Sequence, residues 1–391
     1  GASPNQSSGV SDQPSATVTL SRGGTLPEPV RTYPASLTVV NPFGMSTHDF
    51  ALSVSAWWHI EQIPLVPGYE EMRNASYEFG PDAVLWGTQV YTVGGYNTSY
   101  LVQVRDDDFD YEELSFGGNL AIDRDGNPAF ASNKGIAFVT FDLYFRYKEN
   151  GVWEEERVDA AKYGATPQLF FDSENRPVIV YSRRLSSSTY DLWTAKRVSG
   201  DWELTQIREE GPNLNYHAIL GQDDQTQIVY NSWEEGGVFF IDEDAGEWTH
   251  EVLFYNSETE DEGYGYHASA MTTNKNSSTL VLFSRYDRLT QDTLIFVGTE
   301  SNSEWDFEDV YTHPSSEGYF RGKEIIAEPD GLTIIFLHLY ETDLVNLYWN
   351  HESLWQEGEA FVWDSNGDFD ALVSPGGEPV LISKDEMATY W

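Results

Sequence analysis

Leu120-Ala121-Ile122-Asp123-Arg124-Asp125-Gly126-Asn127-Pro128-Ala129-Phe130-Ala131 is the stretch on which the fold turns. Two short apolar runs flank a turn of Asp, Gly, Asn and Pro, residues that accept left-handed backbone or preset φ, so the segment predicts a tight antiparallel hairpin. The pattern returns as Leu169-Phe170-Phe171, a turn over 172–177, and Val178-Ile179-Val180-Tyr181. Looser copies join Ile219 to 228–230, Ser269 to 280–283, Ile325-Ile326 to 333–336, and Leu372-Val373 to 375–382. A degenerate copy starts near Ala75, with 83–86 as its second strand.

A second landmark keeps step with the first. Trp follows a polar turn and opens an alternating strand at Gly151-Val152-Trp153, Gly200-Asp201-Trp202, Gly246-Glu247-Trp248, Ser303-Glu304-Trp305 and Ser353-Leu354-Trp355, at steps of 49, 46, 57 and 50 residues. Phe109 lies 44 residues before Trp153, and Trp57-Trp58 about 50 further back. Each unit of roughly 45 to 55 residues thus holds four short antiparallel strands, the size of one propeller blade. Seven inner hairpins and seven outer strands are out of phase by one. The fold expected is an all-β, seven-bladed β-propeller of four-stranded blades, closed by N- and C-terminal strands sharing one blade, which leaves no exposed edge.

Residues 1–36, rich in Ser, Gly, Pro and Thr, read as a flexible tether, and 37–391 as a single propeller domain. Within the latter, Leu37-Thr38-Val39-Val40 is strand-like. The 391 residues carry 64 Asp and Glu against 22 Lys and Arg, a formal charge of −42. Such a charge repels nucleic acid and anionic membranes and suits a saline, marine setting. Cysteine is absent, which excludes disulfides and thiolate chemistry. No apolar run approaches the ~18 residues of a membrane span. A secreted, periplasmic or outer-surface lipoprotein location is expected, as a monomer.

The repeat resembles the seven-bladed propellers of the sialidase-like (BNR-repeat) group over roughly residues 49–391. The Asp boxes of sialidases proper are missing. The resemblance extends in architecture to propeller polysaccharide lyases, with no family-specific catalytic motif.

Aligning the units generates a candidate site, because the heads of inner strands and the ends of second strands share one face around the channel. Two residues before the inner landmarks stand Gly118, Pro167, His217, His267, Lys323 and Asp370. The repeated Tyr216-His217-Ala218 and Tyr266-His267-Ala268, 50 residues apart, are the most specific feature. At the second-strand ends stand Lys134, Arg183, Ser232, Arg285, His338 and Asp385.

Clustered cations in so acidic a chain would focus an anionic polysaccharide or oligosaccharide, with Arg183 and Arg285 gripping carboxylate or sulfate. Lys134, Lys323, His338 and Tyr181 complete the candidate binding set. The resemblance to lyases implies that His217 or His267 removes the uronate C5 proton and that Tyr216, Tyr266 or Tyr181 protonates the leaving oxygen. Two plainer readings stand beside these: the Tyr-His pairs as inter-blade packing, and the arginines as partners of nearby carboxylates. The Trp column reads as packing.

No cofactor is required by this chemistry. A calcium loop over 364–370, or a transition metal on His217, His267 and His338, is the alternative arrangement. The function expected is a carbohydrate-active propeller that acts on or binds an acidic polysaccharide, β-elimination being favoured over hydrolysis, with a non-catalytic surface propeller binding glycan or protein as the competing reading.

Overall fold

The computed structural model describes side chains for most of residues 99–313, for short stretches at 78–80, 324–328, 331–337, 371–374 and 379–382, and for 348, 350 and 355; the remaining described strand residues, between 3 and 98 and between 320 and 390, are given by their backbone. Among the described residues every regular element is a strand. No helix among them is long and apolar enough to cross a membrane.

Seven antiparallel sheets, numbered here I to VII, follow one another. Sheet I is Arg73–Phe79, Leu85–Val93, Tyr96–Arg105 and Asp108–Leu114; sheet II is Asn119–Ile122, Pro128–Ile136, Thr140–Glu149 and Val152–Asp159. Sheet III is Gln168–Phe171, Pro177–Arg184, Tyr190–Val198 and Asp201–Gly211; sheet IV is Asn215–Leu220, Thr226–Ser232, Gly237–Asp244 and Glu247–Tyr255. Sheet V is Tyr264–Thr273, Thr279–Asp287, Thr293–Ser301 and Glu304–His313; sheet VI is Phe320–Ala327, Thr333–Leu339, Leu344–Asn350 and Trp355–Glu357, with Phe361–Val362 added on its third strand. Sheet VII takes Asp370–Val373, Pro379–Ile382 and Glu386–Tyr390 from one end of the chain and Trp58–Gln62 from the other. Each inner strand lies beside that of the next sheet, and the inner strand of VII also approaches that of I. The arrangement is propeller-like.

Residues 1–58 with 390–391 cluster as a compact unit separate from 59–389. In it Val30–Asn41 pairs along its length with Gly44–Ser55. The run 37–40 is therefore part of a strand, and so are 30–36, the last residues of the expected tether.

The turn chemistry that marks the hairpins works as its residues require. Asp123 Oδ1 accepts from the N–H groups of Asp125 and Asn127 at 2.9 and 2.7 Å, Asp172 does the same for Glu174 and Arg176 at 3.0 and 2.8 Å, and Asn274 for Asn276 and Ser278 at 2.9 and 3.1 Å. Near the end of each turn one residue takes positive φ: Gly126, Asn175 and Ser277.

The aromatic column ties sheets II, III, V and VI each to its predecessor. Trp153 Nε1 donates to Glu112 at 2.8 Å, Trp202 to Glu156 at 3.2 Å, Trp305 to Glu251 at 3.1 Å and Trp355 to Glu308 at 3.1 Å. These glutamates stand three residues after Phe109, Trp153, Trp248 and Trp305, so one outer-strand motif supplies both the indole and the acceptor for the next indole. Thr205, three after Trp202, breaks the series.

Between the sheets the two faces interdigitate. Tyr216, Ala218, Ile228, Tyr230 and Ile241 of sheet IV pack on Val180, Leu192 and Ile207 of sheet III. The opposite face of sheet IV, with Val229, Val238 and Phe240, packs on Ala268, Val281, Phe283 and Phe296 of sheet V. The period-2 alternation of each strand thus decides which seam a side chain enters.

Candidate functional site

Alternation sends the two members of each Tyr-His pair to opposite faces. His217 is paired with Val229, whose side chain packs toward sheet V, so the imidazole faces the IV–V seam while Tyr216 and Ala218 face sheet III. Across that seam, Tyr266 and Arg285 sit directly opposite each other on sheet V, on the face that carries Ala268 and Phe283. The Tyr266 ring lies flat on Phe254 of sheet IV, with centroids 4.5 Å apart. His217, Tyr266 and Arg285 therefore share one seam at the inner rim of two adjacent sheets. His267, paired with Ser284, belongs to the other face of sheet V.

Burial sets the charge state of the first histidine. Desolvation, and then the neighbouring His267, lower the His217 imidazole from its ordinary 6.5 to about 4. It is a neutral proton acceptor above about pH 5. The two histidines are thus close enough for the charge of one to oppose that of the other.

The tyrosines differ in what their hydroxyls do. Tyr216 is in the core and donates to the carbonyl of Val180 at 3.2 Å; burial raises its pKa. Tyr181 is 2% exposed, donates to Asp159 Oδ2 at 2.9 Å, and is raised by burial and then by that carboxylate. Tyr266 is half-buried at the seam.

Among the described residues the candidate cations Arg183, Lys134 and Arg285 stand in different settings. Arg183 Nε lies 3.8 Å from Asp159 Oδ2 with its guanidinium 5.1 Å from the Trp193 ring, in the seam between sheets II and III. Lys134 Nζ pairs with Glu155 at 2.8 Å and lies over Tyr144. Lys323 and His338 are placed by their backbones on the first and second strands of sheet VI, paired with Leu337 and Gly322. In sheets II and III the positions aligned with His217 are Gly118 and Pro167, and a Cβ on Gly118 would stand 2.3 Å from the Ala131 carbonyl oxygen. Among the described residues, sheets IV and V carry the histidine and tyrosine of the aligned columns.

A set of side-chain amides was invisible to the column alignment. Gln168, at the head of the sheet III inner strand, donates from Nε2 to the Tyr216 carbonyl at 3.2 Å and accepts from the Ala218 N–H at 2.7 Å. Asn231, on the same face as His217, donates to the Ala268 carbonyl at 3.0 Å and accepts from the Ala268 N–H at 2.8 Å. Asn119 accepts from the Leu169 N–H at 2.7 Å. Neighbouring sheets do not pair through their inner strands, and these amides bridge from one sheet to the inner strand of the next. The one sequence signal is an amide in the column directly after His217's, at Asn119 and Gln168.

Among the described residues no group of three or more His, Asp or Glu is arranged to hold a metal ion. Residues 364–369 of the acidic loop and the His338 side chain lie outside the described set.

No family model matches the chain, and no curated protein matches it. Solved structures do. The polysaccharide lyase Uly1 is similar at 8% identity with a TM-score of 0.56, over 81% of this chain and 88% of that one. A PL25 ulvan lyase is similar at 10% identity and a TM-score of 0.53, over 80% and 90%. One of two prolyl endopeptidases analysed together is similar at 13% identity and a TM-score of 0.51, over 78% of this chain but 45% of its own. At such identities the likeness is one of fold.

Proposed function

We propose that the chain is a seven-bladed propeller, closed by the shared sheet VII, that cleaves an acidic polysaccharide by β-elimination at the IV–V seam. The observation that carries this reading is the convergence of a neutral imidazole, His217, with the opposed pair Tyr266 and Arg285. Arg285 would hold the uronate carboxylate in the two-pronged manner of a guanidinium and spread the charge that builds as C5 loses its proton. His217 takes that proton, the C5–H electron pair forms the C4=C5 double bond, the C4–O bond breaks, and Tyr266 protonates the departing oxygen. An entering carboxylate also favours the imidazolium that the step creates.

Tyr266 is preferred over Tyr216 and Tyr181 because it stands at the seam that His217 faces, whereas Tyr216 faces sheet III and Tyr181 lies in the seam between sheets II and III. Support for the substrate class comes from the fold-mate, a PL25 ulvan lyase that has been solved bound to GlcA(1-4)Rha3S, a uronate next to a sulfated sugar. A secreted or outer-surface location suits a polymer of that size.

Incubation with uronate polysaccharides, followed by absorbance at roughly 235 nm where unsaturated products absorb, tests the reading. His217→Ala should lower turnover at least about 10²-fold. No absorbance rise and no new reducing ends across a marine and plant panel would favour the non-catalytic binding propeller. Reducing ends without absorbance would replace elimination by hydrolysis, which places two carboxylates across the sugar.

A further inference from the structure

We infer that Gln168 is the positioning residue for His217, fixing the imidazole's place in the IV–V seam through a two-point amide clamp on the backbone either side of it. The inference deepens the lyase reading, and only its kinetic arm rests on that reading. The Gln168 amide behaves as an extra peptide group laid along sheet IV, accepting from Ala218 N–H at 2.7 Å and donating to Tyr216 C=O at 3.2 Å. Residues 216 and 218 point toward sheet III and 217 points away, so the two bonds bracket the one Cα from which the imidazole springs.

Other contacts converge on the same segment from the same side. Tyr216 donates to Val180 C=O, and Val180 is the register partner of Gln168. Sheet III thus holds Tyr216 by its carbonyl and by its hydroxyl and Ala218 by its N–H. The imidazole faces sheet V, where Tyr266 and Arg285 lie on the opposing surface. A base in a seam of this kind must sit within about 0.5 Å of its productive place, and a 1 Å error can cost about 10²-fold in rate.

Asn119 supplies an internal control. It makes one bond of the same type, to Leu169 N–H at 2.7 Å, between sheets II and III. Loosening that seam strains the propeller one sheet further from His217.

The test uses the full chain with 13C-labelled histidine, whose eight imidazoles are resolved by NMR and assigned to residue 217 with His217→Gln. Gln168→Met keeps the side-chain length and removes both bonds. The His217 titration midpoint should then move up from about 4 by at least about one pH unit as water reaches the ring, while Asn119→Ala leaves it in place. Where lyase turnover is measurable, Gln168→Met should lower kcat about 10²-fold with KM held within about threefold. An unchanged midpoint in folded Gln168→Met overturns the inference, and so does an equal shift in Asn119→Ala, which would show general loosening. Should Gln168→Met fail to fold, Gln168→Asn, which reaches one partner at most, is judged by the same two criteria. Absence of turnover in the wild type would remove the lyase reading and leave the clamp to stand or fall on the titration.

Discussion

Replacing His217 by Gln should change how folding stability depends on pH, in a direction fixed by its burial. The unfolded chain binds a proton at this residue near 6.5, whereas the folded chain resists doing so until about 4. A depressed folded value means that the native state is favoured above 6.5 and loses that advantage as pH falls through the window from 6.5 to 4. Between pH 8 and pH 5 the unfolded state gains about 2 kcal/mol from this proton, or about 1 to 2 kcal/mol once screening at a partly exposed residue is counted.

Urea unfolding at pH 8 and pH 5 of wild type and His217→Gln measures it, safely above the isoelectric point of about 4.2. The easing of self-repulsion in a chain of formal charge −42 acts on both proteins and cancels in the difference. Wild type should lose more stability than the variant by that amount. Equal losses within about 0.5 kcal/mol would mean that the imidazole is solvated and the account of the seam is wrong.

Three further outcomes follow from the geometry. Gly118→Ala should cost about 3 kcal/mol or more in urea unfolding, because its Cβ would lie 2.3 Å from the Ala131 carbonyl oxygen and 2.7 Å from Ser132 Cβ; a cost under about 1 kcal/mol would contradict the close approach. Trp305→Phe puts a smaller phenyl in place of the indole and loses the 3.1 Å bond to Glu251, and should cost about 1 kcal/mol or more, read as a lower urea midpoint with an unchanged slope. Arg285→Lys should lower kcat/KM on a uronate polymer about 10-fold and Arg285→Ala about 10²-fold, and a larger effect of Lys134→Ala would move the carboxylate site to sheet II.

The sequence carried the all-β pattern of repeated antiparallel sheets because the turn and the Trp are physical requirements that recur from unit to unit. Asp123, Asp172 and Asn274 each close the same turn by accepting two backbone N–H groups, and chain chemistry of that sort is local enough to read in a single pass. The first unit was fainter: its strands are Arg73–Phe79 and Leu85–Val93, where the alignment placed the second at 83–86. The glutamates that receive the indoles escaped notice because 64 acidic residues hide any column of them.

Column alignment also grouped Lys134, Arg183 and Arg285 as equivalents. Their surroundings differ, since Glu155 and Asp159 lie beside the first two while the third faces the His217 seam. Glu155 stands two strands across its own sheet from Lys134, 21 residues on, and Asp159 stands on the sheet before that of Arg183, and no local pattern reports either. Gln168 escaped for the same reason: its partners are 48 and 50 residues distant.

Sheet VII sets an order on how the molecule is made. Its strand Trp58–Gln62 belongs with Glu386–Tyr390, so the segment synthesised early stays without its neighbour until more than three hundred residues have followed. Sheets I to VI are each assembled from one contiguous stretch and can form as they emerge from the ribosome, but sheet VII cannot be completed until Glu386–Tyr390 has been made. Until then the strand Trp58–Gln62 has an unpaired backbone edge, which makes the interval before that union a time of exposure to aggregation and proteolysis.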